Sequence, residues 1–291
     1  QKINIENIKI SSNIIKFIYF VINTFKIQNP TYLLVSITPY TFFSFLILYL
    51  FKKKRIFVYL FSSGHEEYKY ILGKWSIWIY DFMYKIITSN SKVIVCHERL
   101  YNKKKSHLVS VSRLDEEWLQ DHKEALLDKI RLLYVGRISA EKGVFNFIKM
   151  FNRIEDKMEF SIVGNLKKNK ISDSKINLIN YVSETKKLIN IYDTSNITIL
   201  PSYTEASPNV VNESLARKRP VIIFEDINYI IKDKKGIFVA KRDPKSFSET
   251  AKNIIKNYKD IQEEMKKNVL PTKKNMIKQI YEIVESENFF S

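Results

Sequence analysis

Two glutamates, Glu205 and Glu213, stand with seven residues between them in "ITILPSYTEASPNVVNESLARKRPVII", within a chain that is otherwise strongly basic. The stretch reads as strand, loop, helix and strand. Pro208 suits the first turn of the helix, with Ser207 as its cap. Free N–H groups at that end, those of Asn209 and Val210 among them, make an anion site. A carboxylate next to an anion is repelled by it. Glu205 on the loop and Glu213 on the second helical turn are therefore suited to accept hydrogen bonds from neutral hydroxyls, as sugars present them. The plainer alternatives are a solvated loop carboxylate for Glu205 and the solvent face of a helix for Glu213.

A second chemically informative stretch is "LLYVGRISAEKGVFNFIKMF", residues 132 to 151. A buried strand ends at Gly136, and Arg137 and Lys142 follow on a loop before Gly143 turns into an amphipathic helix. Cations at the C-terminal edge of a parallel strand lie where α/β sheets bind ligands. Arginine forks onto phosphate oxygens and lysine adds a point charge. The bland alternative for this pair alone is two solvated cations.

These loops need a scaffold. Short apolar runs predict strands at 32–37, 55–62, 92–96, 107–111, 131–136, 158–163, 177–179, 197–200, 220–224 and 236–239. Helical periodicity predicts helices at 12–27, 41–53, 67–89, 115–129, 142–153, 185–193, 208–217, 244–257, 259–268 and 272–287. Strands alternating with helices imply parallel sheets covered on both faces. The acidic stretch "SRLDEEWLQDHKEALLDKI" contains no strand and separates two α/β units, 1–124 and 125–291. Neither G-x-G-x-x-G nor G-x4-G-K-[ST] occurs, which sets aside the usual dinucleotide and P-loop readings.

Composition narrows the classes further. The chain has 291 residues, of which 45% are hydrophobic, and a formal net charge of +17. That is enough for two cored domains. One cysteine, Cys96, excludes an intrachain disulfide. The four histidines, His65, His97, His107 and His122, show neither H-x3-H nor H-E-x-x-H spacing, so no structural zinc is expected. Lysines cluster at 52–55, 102–105 and 167–170. Such charge suits an anionic membrane, a phosphorylated substrate or nucleic acid, unless it only reflects a lysine-rich composition. The apolar run 32–51 is split by Thr38-Pro39 into a strand and about three helical turns, too short to span a bilayer. A helix lying on the membrane surface stays open for 41–51.

Residues 130 to 260 resemble a known family. "VGR…EKG", then the two glutamates at E-x7-E spacing between "PS" and "PVI", then "IIKDKKGIFVAKRDPKSFSETAKNI", look like the nucleotide-sugar-binding half of the family-4 type retaining glycosyltransferases, glycosyl transferases group 1. The resemblance implies a GT-B fold: two Rossmann-like parallel-sheet domains facing a cleft, the N-terminal one incomplete and its first strand expected before Gln1. It implies that Arg137 and Lys142 hold the donor diphosphate together with the backbone of Asn209 and Val210. Glu205 would contact the transferred sugar and Glu213 the nucleotide ribose. "NYVSETKKL" matches a family segment that makes Tyr181 and Val182 candidates to border the base. In the N-terminal half, "FSSGHEEY" resembles a strand end near a histidine, which makes His65 a second catalytic candidate.

The chain departs from the family at three places. Ala206 stands where glycine is usual, "SPN" replaces a common apolar run, and Arg217-Lys218-Arg219 replaces small residues and glycine. The absence of D-x-D removes the usual metal-holding motif of the other transferase fold, so no cofactor and no metal are expected. The implied reaction moves a sugar from a nucleotide sugar, such as a UDP-sugar, to a saccharide or lipid-linked acceptor with retention, in cell-envelope polysaccharide or lipopolysaccharide biosynthesis. The expected location is cytoplasmic, peripheral on the inner face of the membrane. Rival readings are a nucleotide-sugar epimerase of the same fold and a basic RNA- or membrane-binding protein on a decayed scaffold. Aromatics at mostly apolar positions argue against nucleic acid.

Overall fold

A computed structural model describes residues 8–286 apart from 52–54, 62–63, 97–99, 101, 104–105, 166–174 and 206. Much of the three lysine clusters therefore lies outside the described residues. The chain divides into two compact units, residues 1–110 with 278–291, and residues 111–277.

The first unit contains α1 (Ile14–Asn23), β1 (Tyr32–Val35), α2 (Pro39–Leu50), β2 (Ile56–Leu60), α3 (His65–Leu72), α4 (Ser76–Ser89), β3 (Lys92–Val95) and β4 (Ser106–Leu108). Its strands pair in parallel in the order β1-β2-β3-β4. Every residue of β2 is buried, as expected of a central strand covered on both faces. Helix α2 begins where Thr38 and Thr41 form a reciprocal capping box and Pro39 occupies the first turn. Phe42, Phe45 and Leu48 place one side of α2 in the core, while Phe43, Tyr49, Leu50 and Phe51 of the same apolar stretch stay exposed. Among the described residues no helix is long and apolar enough to cross a membrane.

The second unit contains α5 (Glu116–Leu119), β5 (Ile130–Val135), α6 (Val144–Phe151), β6 (Met158–Gly164), β7 (Ile176–Asn180), α7 (Thr185–Thr194), β8 (Ile197–Leu200), α8 (Asn209–Ala216), β9 (Val221–Phe224), β10 (Ile237–Ala240), α9 (Pro244–Lys256) and α10 (Tyr258–Met265). A last helix, α11 (Lys273–Ser286), follows. The six strands run parallel in the order β10-β9-β8-β5-β6-β7. From β5 the chain steps outward to β6 and β7, then returns to β8 on the other side of β5. This is the doubly wound order, with its switch point between β5 and β8. The α/β class with two Rossmann-like parallel sheets is thus present.

Three local expectations are corrected. The helix expected over 67–89 is two helices, because Gly73 adopts φ +91 between them. The acidic stretch 115–129 is helical only over Glu116–Leu119. Beyond that point its carbonyls are taken by side chains from the ends of neighbouring elements: Arg217 bonds the oxygens of Gln120 and Asp121, Arg219 that of Lys123, and Asn196 those of Leu126 and Lys129. A carbonyl bound this way is not available to a helix ladder. The break between units falls at 110 instead of 124, because Leu114 and Trp118 are buried against Leu133, Val163, Tyr192 and Ala216 of the second unit.

Candidate functional site

The loops that leave β5 and β8 meet at the switch point, and one glycine lets them touch. Gly143 has φ +67, and a Cβ there would lie 2.0 Å from the Pro201 carbonyl oxygen. Any other residue would push the loops apart. They are joined again by the Tyr203 N–H, which donates to the Glu141 carbonyl at 3.1 Å. The Asn146 amide donates to the Tyr203 hydroxyl at 2.6 Å.

Across this contact Lys142 Nζ lies 2.6 Å from Glu205 Oε1, with side-chain exposures of 20% and 8%. Ser202 Oγ donates to the same carboxylate oxygen at 2.6 Å. Tyr229 fixes the backbone beneath: its hydroxyl donates to the Glu205 carbonyl at 2.6 Å and accepts from the Glu205 N–H at 3.0 Å. Glu205 is therefore a held, nearly buried, charge-paired group, and the solvated-carboxylate alternative fails.

Arg137 lies on the same loop in a different state. Its side chain is 78% exposed, with only a loose pairing to Glu141 at 3.8 Å. The Tyr134 hydroxyl donates to the Arg137 carbonyl at 2.6 Å and fixes the backbone below it. Burial holds that phenol far above its ordinary pKa, so it stays a donor. Ser139 donates to Glu141 at 2.6 Å and lowers that carboxyl's pKa, with Arg137 and Lys142 adding to the effect. The loop thus offers one exposed guanidinium and one anchored ammonium.

The cap of α8 differs from expectation. Pro208, with extended backbone, is the N-cap and Asn209 the first helical residue, so Ser207 lies one position outside. Asn209 and Val210 still occupy the first turn, where N–H groups lack helical partners. The side-chain oxygens of Asn209 and Asn212 have no hydrogen-bond partner.

Glu213 is 8% exposed, so the solvent-face alternative fails as well. It accepts from the buried Tyr192 hydroxyl at 2.9 Å. Burial raises the Glu213 pKa, and the Tyr192 bond and the charge of Arg113 partly oppose that. Val182 packs in the cluster that contains Tyr192, whereas Tyr181 is 72% exposed at the end of β7. His65 lies in the first unit, on α3. Its Nε2 is 2.5 Å from Asp81 Oδ1, and its ring meets Tyr80 edge-on at 4.8 Å.

Sequence reasoning missed the supports of these groups: Ser202, Tyr229, Tyr192, Asp81 and Arg242. Arg242 donates to the carbonyls of Pro201 and Ser202 at 3.0 Å and to Asp226 at 2.7 Å. Its guanidinium stacks on Tyr203, 4.1 Å from the ring centre. It clamps the loop that carries Glu205, and no motif marks it.

Known proteins are similar to this chain in part of its sequence and in its fold. Residues 129–257 match the family model of glycosyl transferases group 1. The capsular polysaccharide biosynthesis glycosyltransferase CapM of Staphylococcus aureus is 29% identical over 160 residues, 49% of this chain and 41% of the relative. The chain thus aligns with less than half the length of the curated relatives it matches. Among solved structures, sucrose-phosphate synthase from Thermosynechococcus elongatus superposes with a TM-score of 0.71 at 15% identity, covering 96% of this chain and 79% of that one. Anabaena Alr3699/HepE in complex with UDP-glucose gives 0.66 at 8% identity, covering 94% and 81%. Residues 129–257 are thus similar to the glycosyl transferases group 1, and the two parallel sheets are those of a GT-B type fold.

Proposed function

We propose that the protein transfers a sugar from a nucleoside-diphosphate sugar to a saccharide or lipid-linked acceptor of the cell envelope, with retention and without a metal. The observation that carries this reading is the Lys142–Glu205 pair at the switch point, 2.6 Å apart, beside the first turn of α8. In transfer, the acceptor oxygen bonds to the anomeric carbon as the bond from that carbon to the phosphate oxygen breaks. The electron pair leaves with the diphosphate. Lys142, Arg137 and the N–H groups of Asn209 and Val210 would meet that growing negative charge as preorganised electrostatics. Retention follows if the acceptor approaches on the face the diphosphate leaves, so that its proton passes to the departing phosphate oxygen.

Binding would divide the pair already in place. The diphosphate takes over the Lys142 ammonium, and the Glu205 oxygen so released accepts from a sugar hydroxyl. Glu213, one and a half turns into the helix, would accept from the ribose, with Tyr181 and Val182 bordering the base. His65, oriented by Asp81, is the candidate on the acceptor-side unit. Anabaena Alr3699/HepE holds UDP in its solved structure, which makes UDP the first nucleotide to try. Location at an anionic membrane surface fits a lipid-linked acceptor and the net charge of +17.

Calorimetry with UDP and excess chelator tests the leaving-group assignment. Wild type binds, and Lys142→Ala binds about tenfold or more weakly, the loss expected of one charge-assisted bond. A strict need for a divalent cation, or an unchanged Lys142→Ala affinity, overturns it.

A further inference from the structure

Helix α4 has two faces of different character. Ser76, Tyr80, Met83 and Ile87 are buried in the first unit. On the opposite side, Trp75 at the N-cap, Trp78 and Phe82 follow at i, i+3 and i+7, which puts them on one stripe. They are 60%, 65% and 56% exposed. The Phe42 ring lies 6.1 Å from Phe82 and 5.7 Å from Phe43, so the stripe continues onto the exposed Phe43 of α2. Leu72, at the end of α3, is exposed on the approach to it.

Tryptophan is usually among the more buried residues, and a contiguous apolar face of this kind marks an interaction site. Its rim indicates the partner. Lys74 and Lys85 are exposed beside the aromatic stripe, and neither has a carboxylate partner among the described residues. Asp81 also faces outward, and it is paired with His65. A second copy docking through this face about a two-fold axis would bring the same lysines toward each other. An anionic lipid surface neutralises them and takes the indoles at headgroup depth, where their apolar body and polar N–H are both satisfied.

We propose that the Trp75–Trp78–Phe82 face of α4, with Phe43 and flanked by Lys74 and Lys85, is the surface by which the protein docks on an anionic bilayer. This deepens the membrane part of the proposed function and centres it on α4, with the exposed Phe43 of α2 beside it. Docking is interfacial: the helix lies along the membrane with its aromatic side in the headgroup region.

The chain's tryptophans provide the test. There are three, and the third, Trp118, is 4% exposed in the second unit. Vesicles of phosphatidylcholine with phosphatidylglycerol should blue-shift the fluorescence, and brominated acyl chains should quench it. Pure phosphatidylcholine should do so weakly. Trp75→Ser/Trp78→Ser should lower partitioning by about tenfold or more, and Lys74→Glu/Lys85→Glu should abolish its salt dependence. UDP affinity, measured on the same variants without vesicles, should stay at the wild-type value and shows that they fold. If wild type binds vesicles but not UDP, the donor reading falls and this one stands. Absent quenching, equal partitioning of the tryptophan double variant, or a wild-type dimer that the same variant dissociates would overturn the proposal.

Discussion

The two ends of helix α8 are both polar, yet their hydrogen bonding is opposite. At the C-terminal end Arg217 and Arg219, fully buried, share one carboxylate, Asp193. Their remaining donors go to carbonyls: Trp118, Gln120 and Asp121 for Arg217, and Lys123, Asp193, Ser195 and Arg217 for Arg219. At the N-terminal end the amide oxygens of Asn209 and Asn212 accept nothing, and they make two of the three such buried side-chain atoms among the described residues. Native interiors pair nearly all buried polar groups. A saturated network is architecture, and the unsaturated one on the helix that carries Glu213 is where the polar groups of the proposed donor would complete the bonding. This places Arg217 and Arg219, two residues of the departure from the family pattern at 217–219, on the structural side.

The comparison breaks first at Arg217. Replacing it with alanine leaves Asp193 buried without its forked partner and strands the carbonyls of Trp118, Gln120 and Asp121. Loss of about 3–5 kcal/mol is expected in urea unfolding. A loss below about 1 kcal/mol would show that the network is not structural. A smaller, opposite effect is expected next door. Lys218 sits at φ +55, the left-handed region that glycine adopts without strain. Burial also lowers its pKa, so its charge is held at some cost. Lys218→Gly should stabilise by roughly 0.5–1 kcal/mol, the relief of the Cβ contact less the added freedom of the unfolded chain. A loss of stability would mean that the lysine stem is itself packed in place.

How much of this the sequence holds depends on the reach of each interaction. All ten expected strands occur, because each is a short apolar run and most of their residues are buried. Local rules fail where distant groups compete for the backbone, as Arg217, Arg219 and Asn196 do along 118–129. Within the candidate site, Glu205, Lys142 and Glu213 stand out through their motif, and the fold brings Lys142 and Glu205 together across 63 residues. Their supports carry no comparable mark. Tyr192 finds Glu213 from 21 residues away and Tyr229 finds Glu205 from 24, and these pairings follow from sheet order alone. The exposed tryptophans of α4 follow helical spacing, yet spacing does not tell which face is covered.

The central claim is that Glu205 and Glu213 divide one donor between them, sugar to the first and ribose to the second. Nucleotide affinity and the single-turnover rate of UDP-sugar cleavage, measured on Glu205→Gln and Glu213→Gln in the full-length protein, test it most directly. Glutamine keeps an acceptor for Tyr192 and removes only the charge. Glu213→Gln should bind UDP about tenfold more weakly, since the ribose belongs to every ligand. Glu205→Gln should bind UDP about as well as wild type and cleave the donor ~10²–10³ more slowly, because its partner is the sugar and its loss appears in the rate. Equal affinity losses in the two variants, or an unchanged rate in Glu205→Gln, would contradict the division.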